Sequence, residues 1–154
     1  MVRRSITMFA VRAKPPPGFM NVDLEIVSRS KLDEIESALS DTAHALYSGA
    51  VRRGVFLLAL ECNAYPKDAD AAIVALCDAV DRLGTPERRI WKRALRRTFD
   101  VGYRLAHGDA AVRVSLEPTT LSRVISVGAT VAFTCYRDDD SEPGSPGNAA
   151  GRRA

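Results

Sequence analysis

Apolar and polar positions along this chain alternate with a period that changes several times, and each change marks an element. Val22-Asp23-Leu24-Glu25-Ile26-Val27 alternates at period two, which predicts a half-buried strand with Asp23 and Glu25 on its outer side. Leu32, Ile35 and Leu39 then recur at helical spacing. Ser30, with Asp33 three residues on, reads as an N-cap with its capping-box acid, so a first helix is expected to run to about Ser40. Residues 41–53 hold neither period; Ala45, Leu46 and Tyr47 suit a short strand before a turn at Ser48-Gly49. Val55 to Cys62 is apolar on both sides until Glu61, the pattern of a strand covered on both faces. Ile73, Leu76, Val80 and Leu83 form the stripe of a second helix, opened by Asp68 or Asp70 and stopped by Gly84.

The sharpest change of period lies in Thr85–Leu105. Thr85-Pro86-Glu87 reads as N-cap, first helical residue and first-turn acid. At 100° per residue, Ile90, Trp91, Ala94 and Leu95 share one side of a helix. Arg88, Arg89, Lys92, Arg93, Arg96 and Arg97 share the other. From Phe99 the chain alternates again through Val101, Tyr103 and Leu105, so a basic helix is expected to run directly into a strand. A turn at His107-Gly108-Asp109 and a hairpin strand at Val112, Val114 and Leu116 follow. A helix then opens at Pro118 and closes at Gly128, and a last strand carries Val131, Phe133 and Cys135.

From Val55 onward the expected order is β-α-β-β-α-β. The fold class is therefore α+β: a ferredoxin-like antiparallel sheet over residues 55–136, with an extra N-terminal βα unit and an inserted basic helix. Residues 20–137 form the expected single domain, a size that suits one core. Residues 1–19, ending in Lys14-Pro15-Pro16-Pro17-Gly18, read as a disordered arm or a misassigned start, with Met20 the alternative start. Residues 138–154 read as a disordered tail.

Composition is that of an ordinary globular chain: 154 residues, 46% hydrophobic and 27% charged. The net charge of +3 is uneven. The arm carries Arg3, Arg4, Arg12 and Lys14, and residues 20–137 are left at about +1. A basic overall balance therefore argues only weakly for a polyanion partner. Cys62, Cys77 and Cys135 form no close pair, which suits buried free thiols in a reducing, cytoplasmic setting. No apolar run approaches the ~20 residues needed to cross a bilayer, so no membrane partner is expected.

Candidate chemistry is sparse. The acids Asp23, Glu25, Glu61 and Asp100 lie on predicted strands. Two of them meeting in a pocket could act as an acid/base pair. Outward edge acids that keep a sheet soluble are the commoner arrangement, and a local ion pair with the basic run accounts for Asp100. His44 and His107 fall in predicted loops without ligand spacing. The Gly residues form neither a dinucleotide fingerprint nor a P-loop, and no G-x-S-x-G marks a nucleophile. Trp91 falls on the apolar side of its helix, as a core residue rather than a stacking platform. The chain accordingly offers no catalytic, metal or cofactor-binding residues. Its candidate interaction surface is Arg88, Arg89, Lys92, Arg93, Arg96 and Arg97.

The stretches VDLEIVSRSKLDEI, FLLALE, IWKRALRRTFDVGY and LSRVISVGATVAFTCY resemble a family of small bacterial domains of unknown function, over roughly residues 20–137. The resemblance implies one compact α+β domain and carries over no catalytic residue. The functional expectation is a non-enzymatic protein-interaction or accessory module, self-associating or immunity-like. Two alternatives stand beside it. One is RNA or DNA binding through the 88–97 face. The other is a small-molecule or enzymatic domain with a non-local site.

Overall fold

The computed structural model describes residues 18–105 and 111–137. Its elements are β1 (Phe19–Ser28), α1 (Asp33–Leu39), β2 (Ala43–Arg52), β3 (Val55–Cys62), α2 (Ala69–Asp81), α3 (Thr85–Arg93), β4 (Arg96–Leu105), α4 (Pro118–Ser126) and β5 (Thr130–Arg137). Residues 1–17 of the expected arm, the tail and the turn at His107-Gly108-Asp109 lie outside the described residues. Phe19, placed at the end of that arm, instead begins β1 and is buried.

The protein is α+β, with one five-stranded mixed sheet in the order β2-β3-β1-β4-β5. The β2/β3, β3/β1 and β1/β4 pairs are antiparallel, and β4/β5 is parallel. The alternation of β1 sends Val22, Leu24 and Ile26 to one face and Asp23, Glu25 and Val27 to the other. The first set meets Leu58 and Leu60 of β3 and Phe99 and Val101 of β4. Ile35 and Leu39 of α1, Ile73, Leu76 and Val80 of α2, Trp91 of α3 and Val124 of α4 join the same core. Burying each of the large side chains contributes roughly 1.5–3 kcal/mol. All four helices thus serve one face of the sheet. Among the described residues, none covers the other.

Several boundaries follow the sequence signals. Asp68 caps α2 by accepting the Ala71 amide at 2.8 Å. Pro118 opens α4, and Gly128, at φ +70°, ends its last turn where a side chain would be strained.

Other expectations are overturned. The stretch 41–53 is a full ten-residue edge strand, β2, joined to β3 through Arg53-Gly54, with Gly54 at φ +69°. Its alternation is hidden because it is mostly exposed and its register shifts twice. No strand forms at 112–116. Both edges of β4 are taken, by β1 and β5, so the half-buried Val112, Val114 and Leu116 cannot form the expected hairpin with it. The order from Val55 is therefore β-α-α-β-α-β, and its last strand pair is parallel rather than antiparallel. The basic helix stops at Arg93, and Arg96 and Arg97 belong to β4. Leu32, not Ser30, precedes α1, without a side-chain cap. Gly84 is the N-cap of α3 rather than the stop of α2. Cys62 and Cys77 are buried as expected, whereas Cys135 is exposed.

Candidate interaction surfaces

Two charged regions stand out, one around α3 and one on the uncovered sheet face. The C-terminal ends of α2, α3 and α4 converge beside α3, and each leaves unpaired carbonyls. Two of the six candidate cations answer them. Arg88 donates to the carbonyls of Asp81 at 2.6 Å and Leu83 at 3.3 Å, closing the end of α2. Arg97 reaches over from β4 and donates to the carbonyls of Trp91 at 2.6 Å and Gly128 at 2.9 Å. Its guanidinium also lies over the Trp91 ring, 5.8 Å from the centroid, a cation–π arrangement. Trp91 is buried and donates its indole N–H to the Val127 carbonyl at 2.8 Å.

A cleft of about 260 Å³ opens here among Arg88, Trp91, Lys92, Arg97, Ile125 and Gly128. Its two guanidinium groups already face carbonyl oxygens, so their charge serves helix ends rather than an incoming anion. Arg96 pairs with Glu25 at 3.1 Å. The remaining three, Arg89, Lys92 and Arg93, are exposed, and none makes an ion pair or side-chain hydrogen bond among the described residues. The six-residue candidate surface therefore divides into two structural cations, one sheet-face ion pair and three free side chains.

The second region was read in the sequence as a set of outward edge acids. The strand order overturns that, because β3, β1 and β4 are the three inner strands. Asp23 stands directly opposite Glu61 on one side and Asp100 on the other. Directly opposed residues share a face, and neighbouring strands lie about 4.8 Å apart, so the three carboxylates form one row across the sheet. His44 on β2 and Thr134 on β5 extend the row to all five strands. His44 Nε2 lies 4.0 Å from Glu61, and its Nδ1 lies 3.1 Å from the Asn63 side-chain oxygen. Thr134 donates its hydroxyl to the Asp100 carboxylate at 2.8 Å. The ion pair expected between Asp100 and the basic run does not form; a threonine takes its place. Asn21 donates its amide to Asp23 at 2.9 Å.

This environment raises the pKa of Asp23 from 3.8 to about 6. Burial is the largest cause, followed by the negative charges of Glu61, Asp100 and Glu25. Beside the row runs an apolar strip on the same face, where Ala59, Leu57 and Val27 are only half-buried. The cavity that touches Glu61 and Asn21 holds about 30 Å³, on the order of one water. Among the described residues the row lies on a sheet face that no helix covers. Among the described residues no group of three or more His, Cys, Asp or Glu is placed to hold a metal ion. Burial pushes the Cys62 and Cys77 thiols up to about 11, which keeps them protonated and unreactive. No described helix is long and apolar enough to cross a membrane.

No protein-family model, no curated protein and no solved structure matches the chain. All four sheet acids stand out in the sequence, but no local spacing brings them together. The missing signal was the strand order, which periodicity does not encode. His44 lies on β2 rather than in the expected loop, because an exposed edge strand carries no clear period.

Proposed function

We propose that this protein is a non-enzymatic protein-interaction module whose binding surface is the open face of its sheet. The observation that carries the reading is the row Glu61-Asp23-Asp100 on the inner strands of an uncovered face. Like charges directly opposite each other destabilise a sheet. Solubility alone calls for charges at the edges, not side by side at the centre. A central carboxylate row beside an apolar strip instead suits a macromolecular partner that presents cationic groups and some apolar surface. An immunity-like accessory that shields a basic partner is the concrete form of this reading, and it accords with the resemblance to small bacterial domains.

The fold reading that goes with it places a ferredoxin-like βαββαβ unit at residues 19–105, with α3 inserted and α4–β5 appended. Its support is the order β2-β3-β1-β4 within the sheet. Nucleic-acid binding through residues 88–97 has less support. Three of the six cations are committed within the chain, and Trp91 is buried away from any base.

Site-specific photo-crosslinking in the native host tests the reading. A photoreactive residue at Ala59, in the middle of the open face, is expected to give a discrete adduct. The same residue at Ser122, on the exposed side of α4, is expected to give none. An adduct from Ser122 with none from Ala59 overturns the assignment.

A further inference from the structure

We propose that the acidic sheet face receives α3 of a second copy of this chain, so that molecules associate head to tail. The proposal rests on the open-face reading above and names its partner. The two surfaces are complementary in charge. On one, Glu61, Asp23 and Asp100 stand in a row; of the nearest cations, Arg96 is taken by Glu25 and His44 touches only the Glu61 end. On the other, Arg89, Lys92 and Arg93 extend from α3 with no partner within the chain among the described residues. The acids of neighbouring α1, Asp33, Glu34 and Glu36, do not quench them. No ion pair joins α1 to α3, and Glu36 is held by the Ser48 hydroxyl at 2.6 Å.

The spacings also match. Residues 89, 92 and 93 are related as i, i+3 and i+4, so they share one side of the helix. Arg89 and Arg93 are one turn apart, about 6 Å along the axis. Adjacent carboxylates in the row are about 4.8 Å apart, and the whole row spans roughly 10 Å. A helix laid across the strands therefore brings its two arginines over successive acids, with Lys92 between them. A planar guanidinium can engage two carboxylate oxygens at once, which suits the closely opposed Asp23 and Asp100.

Placement decides the symmetry. A two-fold interface would have to bring the acidic row and α3 of both copies together in one reciprocal contact, but α3 packs on the helix-covered side of the sheet and the row lies on the opposite face. The contact is therefore heterologous, which builds rings or open chains. Exposed ion pairs are individually weak and screened by salt, so the association is weak and ionic-strength dependent.

Analytical ultracentrifugation of the full chain, from about 20 μM to about 1 mM in about 25 mM or about 300 mM NaCl, tests this. In low salt the average mass is expected to rise with concentration. In high salt the association constant is expected to fall at least about tenfold. Asp23→Lys with Asp100→Lys, and separately Arg89→Glu with Arg93→Glu, are each expected to stay monomeric. An equimolar mixture of the two restores opposite charge at both junctions, basic helix on acidic row and Glu-bearing helix on Lys-bearing face, and is expected to associate again. Should the lysine variant not fold by circular dichroism, Asp23→Asn with Asp100→Asn replaces it, with association weakened at least about tenfold. A wild type monomeric at about 1 mM in low salt overturns head-to-tail association, as does a mixture of folded variants that stays monomeric. Neither result touches the Ala59 adduct, whose absence removes the open-face reading instead.

Discussion

The cations of residues 88–97 and the carboxylates of the sheet face differ in how the chain satisfies them. Arg88 and Arg97 are held by several carbonyl oxygens each, at the ends of three helices. Asp23 and Asp100 receive one amide and one hydroxyl, and otherwise face other acids. A run of six basic residues is conspicuous in sequence, yet much of it is structural. Four acids scattered over 78 positions are inconspicuous, yet three of them form a row with an electrostatic cost. Charge density along a chain is thus a poor guide to charge left unsatisfied on a surface.

Substitutions can break that contrast, and the largest effect falls at Trp91. Trp91→Ala is expected to cost about 3–5 kcal/mol in urea unfolding, since it empties a buried site and orphans the Val127 carbonyl. Arg97→Ala follows, at about 2 kcal/mol, through its lost carbonyl partners and cation–π contact. An Arg97→Ala protein as stable as wild type would show that its bonds only replace bonds to water.

At the acidic row the sign reverses. The folded-state pKa of Asp23 lies above its unfolded value, so the folded protein binds that proton more tightly. Its favourable contribution is complete below about pH 3.8 and is lost as pH rises through about 6. Asp23→Asn is therefore expected to stabilise the protein by about 1–2 kcal/mol at pH 7.5, allowing for solvent screening, and by nothing at pH 3.5. Equal melting temperatures for variant and wild type at both pH values would remove the claim that the row carries a cost. The smallest effect belongs to Arg93→Ala, within about 0.5 kcal/mol, because that side chain is exposed and makes no ion pair or hydrogen bond among the described residues. A loss as large as that of Arg97→Ala would erase the distinction between the two arginines.

What was legible in the sequence follows the same division. β1, α2 and α4 were readable because burial imposes their periodicity, and Asp68, Pro118 and Gly128 mark their ends through local backbone chemistry. β2 was not, because an exposed edge strand of Ala, Ser, Gly and Tyr owes its shape to β3 rather than to its own pattern. Val112, Val114 and Leu116 misled in the opposite direction: alternation predicts an extended chain, not a free edge on β4 to pair with. The helix beyond Arg93 failed similarly, since Arg96 and Arg97 continue the helical spacing but the Leu95 amide bonds to the Val27 carbonyl at 2.7 Å and starts the strand. The acidic row depends on which strands are neighbours, a long-range property that local spacing cannot carry.

The reach of Arg97 has a consequence for how the molecule opens. A nine-residue helix such as α3 is too short to persist alone in water. One guanidinium on β4 holds the end of α3 and the Gly128 carbonyl after α4 together. The slow amide protons of α3, of the last turn of α4 and of central β4 should therefore exchange through a single opening event. Opening the last turn of α3 then also costs the Arg97 bonds, so its three exposed cations are displayed on a helix whose end is tied to β4.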